Sequence, residues 1–92
     1  MRRAARVDAT QAAIVDAFRR YGASVDVIGL PVDLAVGYRG RTVLVEVKTQ
    51  TGKLKPSQQA WLDAYRGAAC VVRSEAEAVA LVRQMGRDHG GE

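Results

Sequence analysis

The sequence is poor in cysteine, histidine and proline, and this scarcity excludes several classes of protein. It contains one cysteine, Cys70, so no internal disulfide and no cysteine-rich zinc site can form. Cys70 lies in an apolar run, and we interpret it as a core residue. The sole histidine, His89, lies in a polar tail. No glycine-rich phosphate loop and no Ser–His pairing is present either.

Long apolar segments are also missing. No run reaches the roughly 20 residues that a membrane-spanning helix needs, and the first residues lack the apolar core of a signal peptide. Together with the absence of disulfides, these features predict a cytoplasmic protein without a membrane partner.

The sequence does have a basic charge balance. Lys and Arg number 14 against 10 Asp and Glu, which gives a formal net charge of +4 and a pI of about 9.7. This predicts an anionic partner, nucleic acid before a membrane surface. The length of 92 residues predicts one domain over residues 1–92, with flexible termini at about 1–7 and 86–92. The basic run at residues 2–6 is either a solvated terminus or a phosphate-binding arm.

The pattern of apolar residues and turn signals predicts an α/β fold. Asp8 is positioned to cap a helix that reaches about residue 21, and Gln11 completes a capping-box spacing. Strands three and four are joined across a helix and should run parallel. The predicted order is αβββαβα, with a four-stranded mixed sheet flanked by helices. The later elements are strands at 24–28, 33–38 and 42–48, a helix at 56–66, a strand at 68–73 and a helix at 74–85.

Two acidic residues are predicted to meet at one end of the sheet. Side chains alternate along a strand, so Glu46 and Lys48 share a face. A two-residue turn at Arg39 and Gly40 places Asp33 opposite Glu46, with Cβ atoms about 4.5–5.5 Å apart. Two such carboxylates repel each other, and Mg²⁺ would offset the repulsion. A bulged three-residue turn would shift the pairing, and Glu46 with Lys48 alone fits a surface salt bridge.

The chemistry that this predicted site supports is phosphodiester hydrolysis. Mg²⁺ held by Asp33 and Glu46 would lower the pKa of a water molecule and relieve the charge on the phosphate. The backbone carbonyl of Val47 is a further candidate ligand, because it lies between two functional side chains. Lys48 would orient the attacking water or stabilise the charge that develops on the phosphate.

Several short motifs of the sequence resemble those of a known protein family. Pro-Val-Asp at residues 31–33, followed by Glu-Val-Lys at 46–48, resembles the signature of the PD-(D/E)XK nuclease superfamily. The order αβββαβ, which covers nearly the whole chain, is also the core of that superfamily. Gln-Gln-Ala-Trp at 58–61 and Cys-Val-Val-Arg-Ser at 70–74 resemble its VRR-NUC branch, the virus-type replication-repair nucleases. Members of that branch occur in bacteriophages, and some act on branched DNA such as Holliday junctions.

The resemblance implies a Mg²⁺-dependent endodeoxyribonuclease, in which Mn²⁺ would also serve. Asp33 and Glu46 would be metal ligands, Lys48 the catalytic lysine and Gln58 a polar catalytic residue on the following helix. Arg73 would lie near the phosphate path. The protein would act in the cytoplasm of a bacterium or of a phage-infected cell. Cutting both strands of a junction calls for two sites, which suggests a two-fold homodimer.

Other residues have two interpretations. Gln11 stands where many relatives carry a Glu that reaches the site, so it is either an accessory site residue or a helix cap. Lys53 and Lys55 follow the third strand and either contact the DNA backbone or only aid solubility. Trp61 and Tyr65 lie at helical spacing, and we interpret them as core residues rather than base-stacking platforms.

Two other functions remain open at this stage. The first alternative is a catalytically weak or inactive nucleic-acid-binding module on the same fold, which the neutral amide of Gln11 favours. The second is a phage accessory protein that works through protein contacts. The apposed carboxylates of Asp33 and Glu46 favour the nuclease, since a binding module does not need two negative charges that face a polyanion.

Overall fold

The computed structural model describes the backbone of residues 2–90 and the side chains of residues 8–87. It confirms the order αβββαβα and the four-stranded mixed sheet. In the sheet, whose strand order is β1-β2-β3-β4, the first two pairs are antiparallel and β3 pairs with β4 in parallel. The elements are α1 (Arg2–Arg20), β1 (Ser24–Val27), β2 (Leu34–Tyr38), β3 (Arg41–Val47), α2 (Pro56–Ala64), β4 (Ala69–Val72) and α3 (Glu75–Gly90).

The ends of two helices differ from the predictions. Helix α1 begins at Arg2, so Asp8 lies inside the helix and the predicted capping box of Asp8 and Gln11 is wrong. The residues before Asp8 are mostly Ala and Arg, which favour helix strongly enough to extend it past a capping residue. Helix α3 runs on to Gly90 instead of ending near residue 85. Met1, Gly91 and Glu92, which were predicted to be flexible, lie outside the described residues.

The hydrophobic core lies on one face of the sheet. Alternate residues of the strands point to this face, and α1 and α3 pack over it and against each other. Cys70 is half-buried and packs against this core. The most deeply buried side chains are those of Ile14, Phe18, Leu34, Val36, Val45 and Val72.

Helix α2 buries none of its residues. It connects β3 to β4, and its Trp61 is half-buried whereas the Tyr65 side chain that follows the helix is 40% exposed. The interpretation of Tyr65 as a core residue is therefore wrong.

Among the described residues, no helix is long and apolar enough to cross a membrane.

The turn between β2 and β3 sets the register of the sheet. Arg39 has φ 52° and Gly40 has φ 79°, which is the two-residue geometry with both central residues at positive φ. Tyr38 pairs with Arg41, and Leu34 pairs with Val45. The predicted register is confirmed, and the alternative of a bulged three-residue turn is wrong.

We expect Gly40→Ala to lower the free energy of unfolding by about 1–2 kcal/mol, because a Cβ is costly at positive φ. A Cβ at residue 40 would meet no atom within 4 Å, so the effect isolates the backbone conformation. Urea denaturation followed by circular dichroism measures it. Arg41→Ala, an exposed change in the same hairpin, is the control and should shift stability by less than about 0.5 kcal/mol. Equal effects of the two variants would contradict the role given to the turn.

Candidate active site

The register of β2 and β3 brings Asp33 to the end of β3. Leu34 pairs with Val45, so one further step places Asp33 opposite Glu46. The carbonyl of Asp33 accepts hydrogen bonds from the N–H groups of Ile28 (2.9 Å) and Gly29 (3.2 Å), which close the loop ahead of β2. Its side-chain Oδ2 accepts a hydrogen bond from the N–H of Val47 at 2.8 Å. Backbone and side chain of Asp33 are therefore both fixed.

Glu46 is the one buried charged residue among the side chains that the structure describes, with 7% exposure. Burial raises the pKa of its carboxyl group above the ordinary value of 4.5, and the negative charge of Asp33 raises this pKa further. A side-chain hydrogen bond with Asp33 acts in the same direction, whereas Lys48 lowers the pKa. The two carboxyl groups are thus close enough for the charge of Asp33 to act on Glu46, at the end of the sheet where the register places them opposite each other.

Lys48 faces the same carboxyl group. Its Nζ lies 3.7 Å from Oε2 of Glu46, and the two side chains are 18% and 9% exposed. The interpretation of this pair as a surface salt bridge is wrong, because little of either side chain reaches solvent. A partly buried ammonium beside two carboxylates gives the cluster one positive and two negative charges when all three groups are ionised.

Gln58 connects Glu46 to the start of α2. Its Nε2 donates a hydrogen bond to Oε2 of Glu46 at 3.1 Å, and its Oε1 accepts one from the N–H of Lys55 at 2.9 Å. Pro56 stands in the first turn of this helix, where its fixed φ is favourable. The structure therefore brings Gln58 together with Asp33, Glu46 and Lys48.

A small cavity borders this cluster. Its volume is ≈ 10 Å³, which is near the lower limit for one water molecule. A buried carboxyl group and an amide offer such a water hydrogen-bond partners. The lining residues are Pro31, Val32, Glu46, Gln58, Trp61 and Leu62.

Arg73 has a role that the sequence did not predict. Its Nη1 donates hydrogen bonds to the carbonyls of Thr49 (2.7 Å) and Gly52 (2.6 Å), in the loop that follows Lys48. Arg73 also directly follows Val72, whose carbonyl accepts a hydrogen bond from the N–H of Lys48. Arg73 therefore anchors the loop after β3. The carbonyls that an arginine will bind have no signature in the sequence, so this contact could not be predicted.

Of the residues predicted to contact DNA, Lys53 and Lys55 are exposed, at the end of this anchored loop. Arg73 is half-buried, and its Nη1 is already hydrogen-bonded to two carbonyls of the loop. A contact between Arg73 and DNA stays a prediction.

Gln11 lines a cavity of its own on α1. It lines an open cavity of ≈ 400 Å³ between α1 and the end of β1, together with Asp8, Asp16, Arg19 and Val27, and neither Asp33 nor Glu46 lines this cavity. The accessory role of Gln11 stays a prediction, and its interpretation as a helix cap is wrong because α1 begins at Arg2.

The donors of the cluster suit a hard divalent cation. Asp33 and Glu46 supply carboxylate oxygens, and the N–H and C=O groups of one strand residue point to the same side, so the Val47 carbonyl points toward Asp33. Mg²⁺ is commonly held by one or two carboxylates together with waters and phosphate. Among the described residues no group of three or more His, Cys, Asp and Glu could hold a metal ion. Two carboxylates with the Val47 carbonyl would hold Mg²⁺ only together with waters or a phosphate.

Comparison with known proteins does not assign the chain to a family: no family model, no curated protein and no solved structure matches it.

We expect Glu46→Gln to stabilise the metal-free protein, by an amount that grows as the pH rises above 4.5. The folded chain holds the Glu46 proton more tightly than the unfolded chain, so the free energy of unfolding falls as the pH rises from 4.5 through the raised pKa. Glutamine removes this loss and keeps an acceptor for Gln58. Urea denaturation in EDTA at several pH values measures the difference.

The control for this series is Asp26→Asn, which removes an exposed carboxylate and so tests the effect of net charge. A difference between Glu46→Gln and the unchanged protein that stays constant with pH, or that matches the control, would contradict the raised pKa of Glu46 in the folded chain.

We expect Arg73→Ala to speed amide hydrogen exchange in residues 49–55 by about tenfold or more, since two hydrogen bonds to this loop are lost and each contributes about 1 kcal/mol. Hydrogen exchange with mass spectrometry measures the change. Lys53→Ala, which removes a charge from the same loop without touching the anchor, is the control and should leave exchange unchanged. Unaltered exchange in Arg73→Ala would show that the loop holds without the arginine.

Proposed function

We propose that this protein is a metal-dependent DNA endonuclease of the PD-(D/E)XK type, a VRR-NUC-like domain that hydrolyses phosphodiester bonds in branched DNA such as Holliday junctions. One observation carries the proposal. A buried glutamate lies at the end of β3, opposite Asp33 and 3.7 Å from the ammonium of Lys48, in a chain of net charge +4. This arrangement costs stability, and phosphodiester hydrolysis is the chemistry that makes use of it.

Each residue of the cluster has a separate task in this proposal. Asp33 and Glu46 hold the cation, with the Val47 carbonyl beside them, and bound Mg²⁺ would activate water and neutralise charge on the phosphate. Mn²⁺ has the same ligand preferences and would substitute. Gln58 fixes the orientation of the Glu46 carboxylate through its hydrogen bond of 3.1 Å. Lys48 orients the attacking water or stabilises the negative charge that develops on the phosphate.

The surroundings of the cluster supply DNA binding. Lys53 and Lys55 are exposed at the end of the loop that Arg73 anchors, so they are available to phosphates of the bound DNA. Contacts of this kind make affinity salt-dependent and largely independent of base sequence. Because one site cuts one strand at a time, paired cuts in a junction call for a two-fold homodimer. We place this activity in the cytoplasm of a bacterium or of a phage-infected cell.

A second candidate is a nucleic-acid-binding module that lacks catalysis. The observation in its favour is the small number of ligands: the described residues place two carboxylates together and no third acidic, histidine or cysteine side chain with them. Gln11 offers a neutral amide and lines a different cavity. Under this alternative the protein binds DNA without cutting it.

The deciding experiment is cleavage of a labelled four-way junction and of a linear duplex with the same sequence, in Mg²⁺, in Mn²⁺ and in EDTA. We expect cutting with either metal, none in EDTA, and a preference for the junction. Asp33→Asn, Glu46→Gln and Lys48→Met should each lower the rate by at least about 100-fold, since each removes a charge that the transition state needs. Gln58→Ala should lower it less, because it removes only the support of Glu46.

Gln59→Ala is the matched control on α2. Gln59 lies next to Gln58 but donates its hydrogen bond to Asp63 at 2.8 Å, away from the cluster. It should leave cleavage unchanged. Salt-dependent binding to both DNAs with no cutting in either metal would establish the binding module instead. Neither binding nor cutting would favour an accessory protein that works through protein contacts.

A further inference from the structure

Trp61, on α2, and Tyr65, which directly follows this helix, lie outside the hydrophobic core cluster. Trp61 and Tyr65 stack with ring centroids 4.6 Å apart and an angle of 21° between their planes. Helix α2 buries none of its residues, and the Tyr65 ring stays 40% exposed. Exposed aromatic surface costs free energy in water, so a stacked pair in this position is typical of a binding surface rather than of a core.

The pair lies on the side of α2 that faces the acidic cluster. Residues 58, 61, 62 and 65 share one face of a helix, since 3.6 residues make a turn. Gln58 on this face contacts Glu46, and Trp61 lines the same small cavity as Glu46 and Gln58. Tyr65 follows seven positions after Gln58, about 10 Å along the helix axis, which is the length of about three stacked nucleotides.

The local geometry holds the Tyr65 ring in place. Its ring packs against the backbone of Gly67, where a Cβ would lie 2.7 Å from Cε2 of Tyr65. Trp61 supports one side of the ring. Because residue 67 has no side chain, the Tyr65 ring can pack against the backbone there. The rest of the ring stays exposed to solvent.

The charges around the pair suit a polyanion. Lys55 precedes the helix and Arg66 follows Tyr65, and both are exposed. The one acidic residue of α2 is Asp63, which lies on another face and accepts the hydrogen bond of Gln59. A strand of nucleic acid that passes the acidic cluster along this face meets cations and aromatic rings and no carboxylate of α2.

We propose that Trp61 and Tyr65 form a stacking platform for an unpaired nucleobase next to the phosphate that is cut. The proposal rests on the nuclease function and names its substrate class: DNA with a single-stranded or opened segment at the cleavage position. Stacking on aromatic rings accepts any base, because each base has a π face. The platform therefore selects for unpaired structure and not for sequence.

The experiment measures binding without cleavage. Fluorescence anisotropy in EDTA follows the affinity for three labelled DNAs: a single strand, an abasic strand of the same length, and a blunt duplex. The single strand should bind at least about fivefold more tightly than the abasic strand, the lower end of what one stacked base contributes. Trp61 is the sole tryptophan of the chain, so its emission reports on the platform directly, and it should change with the single strand alone.

Tyr65→Ala should remove the preference for the single strand over the abasic strand, whereas Tyr65→Phe, which keeps the ring, should retain it. Both changes are at an exposed position, and circular dichroism verifies that each variant is folded. Equal affinity for the single and abasic strands, an unchanged Trp61 emission, or equal losses in both variants would overturn the platform.

The two proposals fail in different ways. Cleavage that depends on Mg²⁺ without any base-dependent binding would leave the nuclease standing and remove the platform. Base-dependent binding that Tyr65→Ala abolishes, without cleavage in either metal, would establish the platform on a binding module. A protein that binds none of the three DNAs would overturn the platform outright.

Discussion

A carboxyl group that is buried beside a second carboxyl group stays where it is only if the strands around it hold their register. Glu46 is 7% exposed and its pKa is raised by burial and by Asp33. The hydrogen bond of 2.8 Å from the Val47 N–H to Asp33 ties the second carboxylate to the end of the same strand. A slip of one residue in this hairpin would send Glu46 to the apolar face and valines to the other, and every contact of the site would be lost. The positive φ of Arg39 and Gly40 excludes that slip by fixing a two-residue turn.

The two faces of the sheet differ in what they carry. One face carries the valines and leucines that pack against α1 and α3, and this face contains the most deeply buried side chains. The other face carries Glu46 and meets α2, which buries none of its own residues. A domain of 92 residues has little stability to spare, so it can hold a costly pair of acids only where the apolar core does not depend on them. This division also explains why the Tyr65 ring, directly after α2, can stay 40% exposed.

The sequence was most informative for the β2–β3 hairpin, because the turn at its tip sets which residues pair along both strands. The pair Arg39 and Gly40, with strand alternation, predicted the partner of each residue back to Asp33, and the structure has that register. Helix ends were less predictable, because Asp8 is a good cap but the alanines and arginines before it favour helix as well. Two features of the structure could not be predicted from the sequence. The binding of Arg73 to the carbonyls of Thr49 and Gly52 depends on backbone atoms that every residue has. The exposure of Tyr65 depends on how little of α2 the sheet covers, and helical spacing alone cannot distinguish a core stripe from an open one.

Under the proposed function, the small number of ligands becomes part of how the site works. Asp33, Glu46 and the Val47 carbonyl would supply only part of what Mg²⁺ binds, and waters or phosphate oxygens would supply the rest. A phosphate that reaches the cluster would complete the coordination, and the cation would in turn offset the repulsion between the phosphate and the two acids. By linkage, each ligand then raises the affinity for the other by the same factor. A third acidic residue would tighten metal binding in the absence of DNA and weaken this dependence on the substrate.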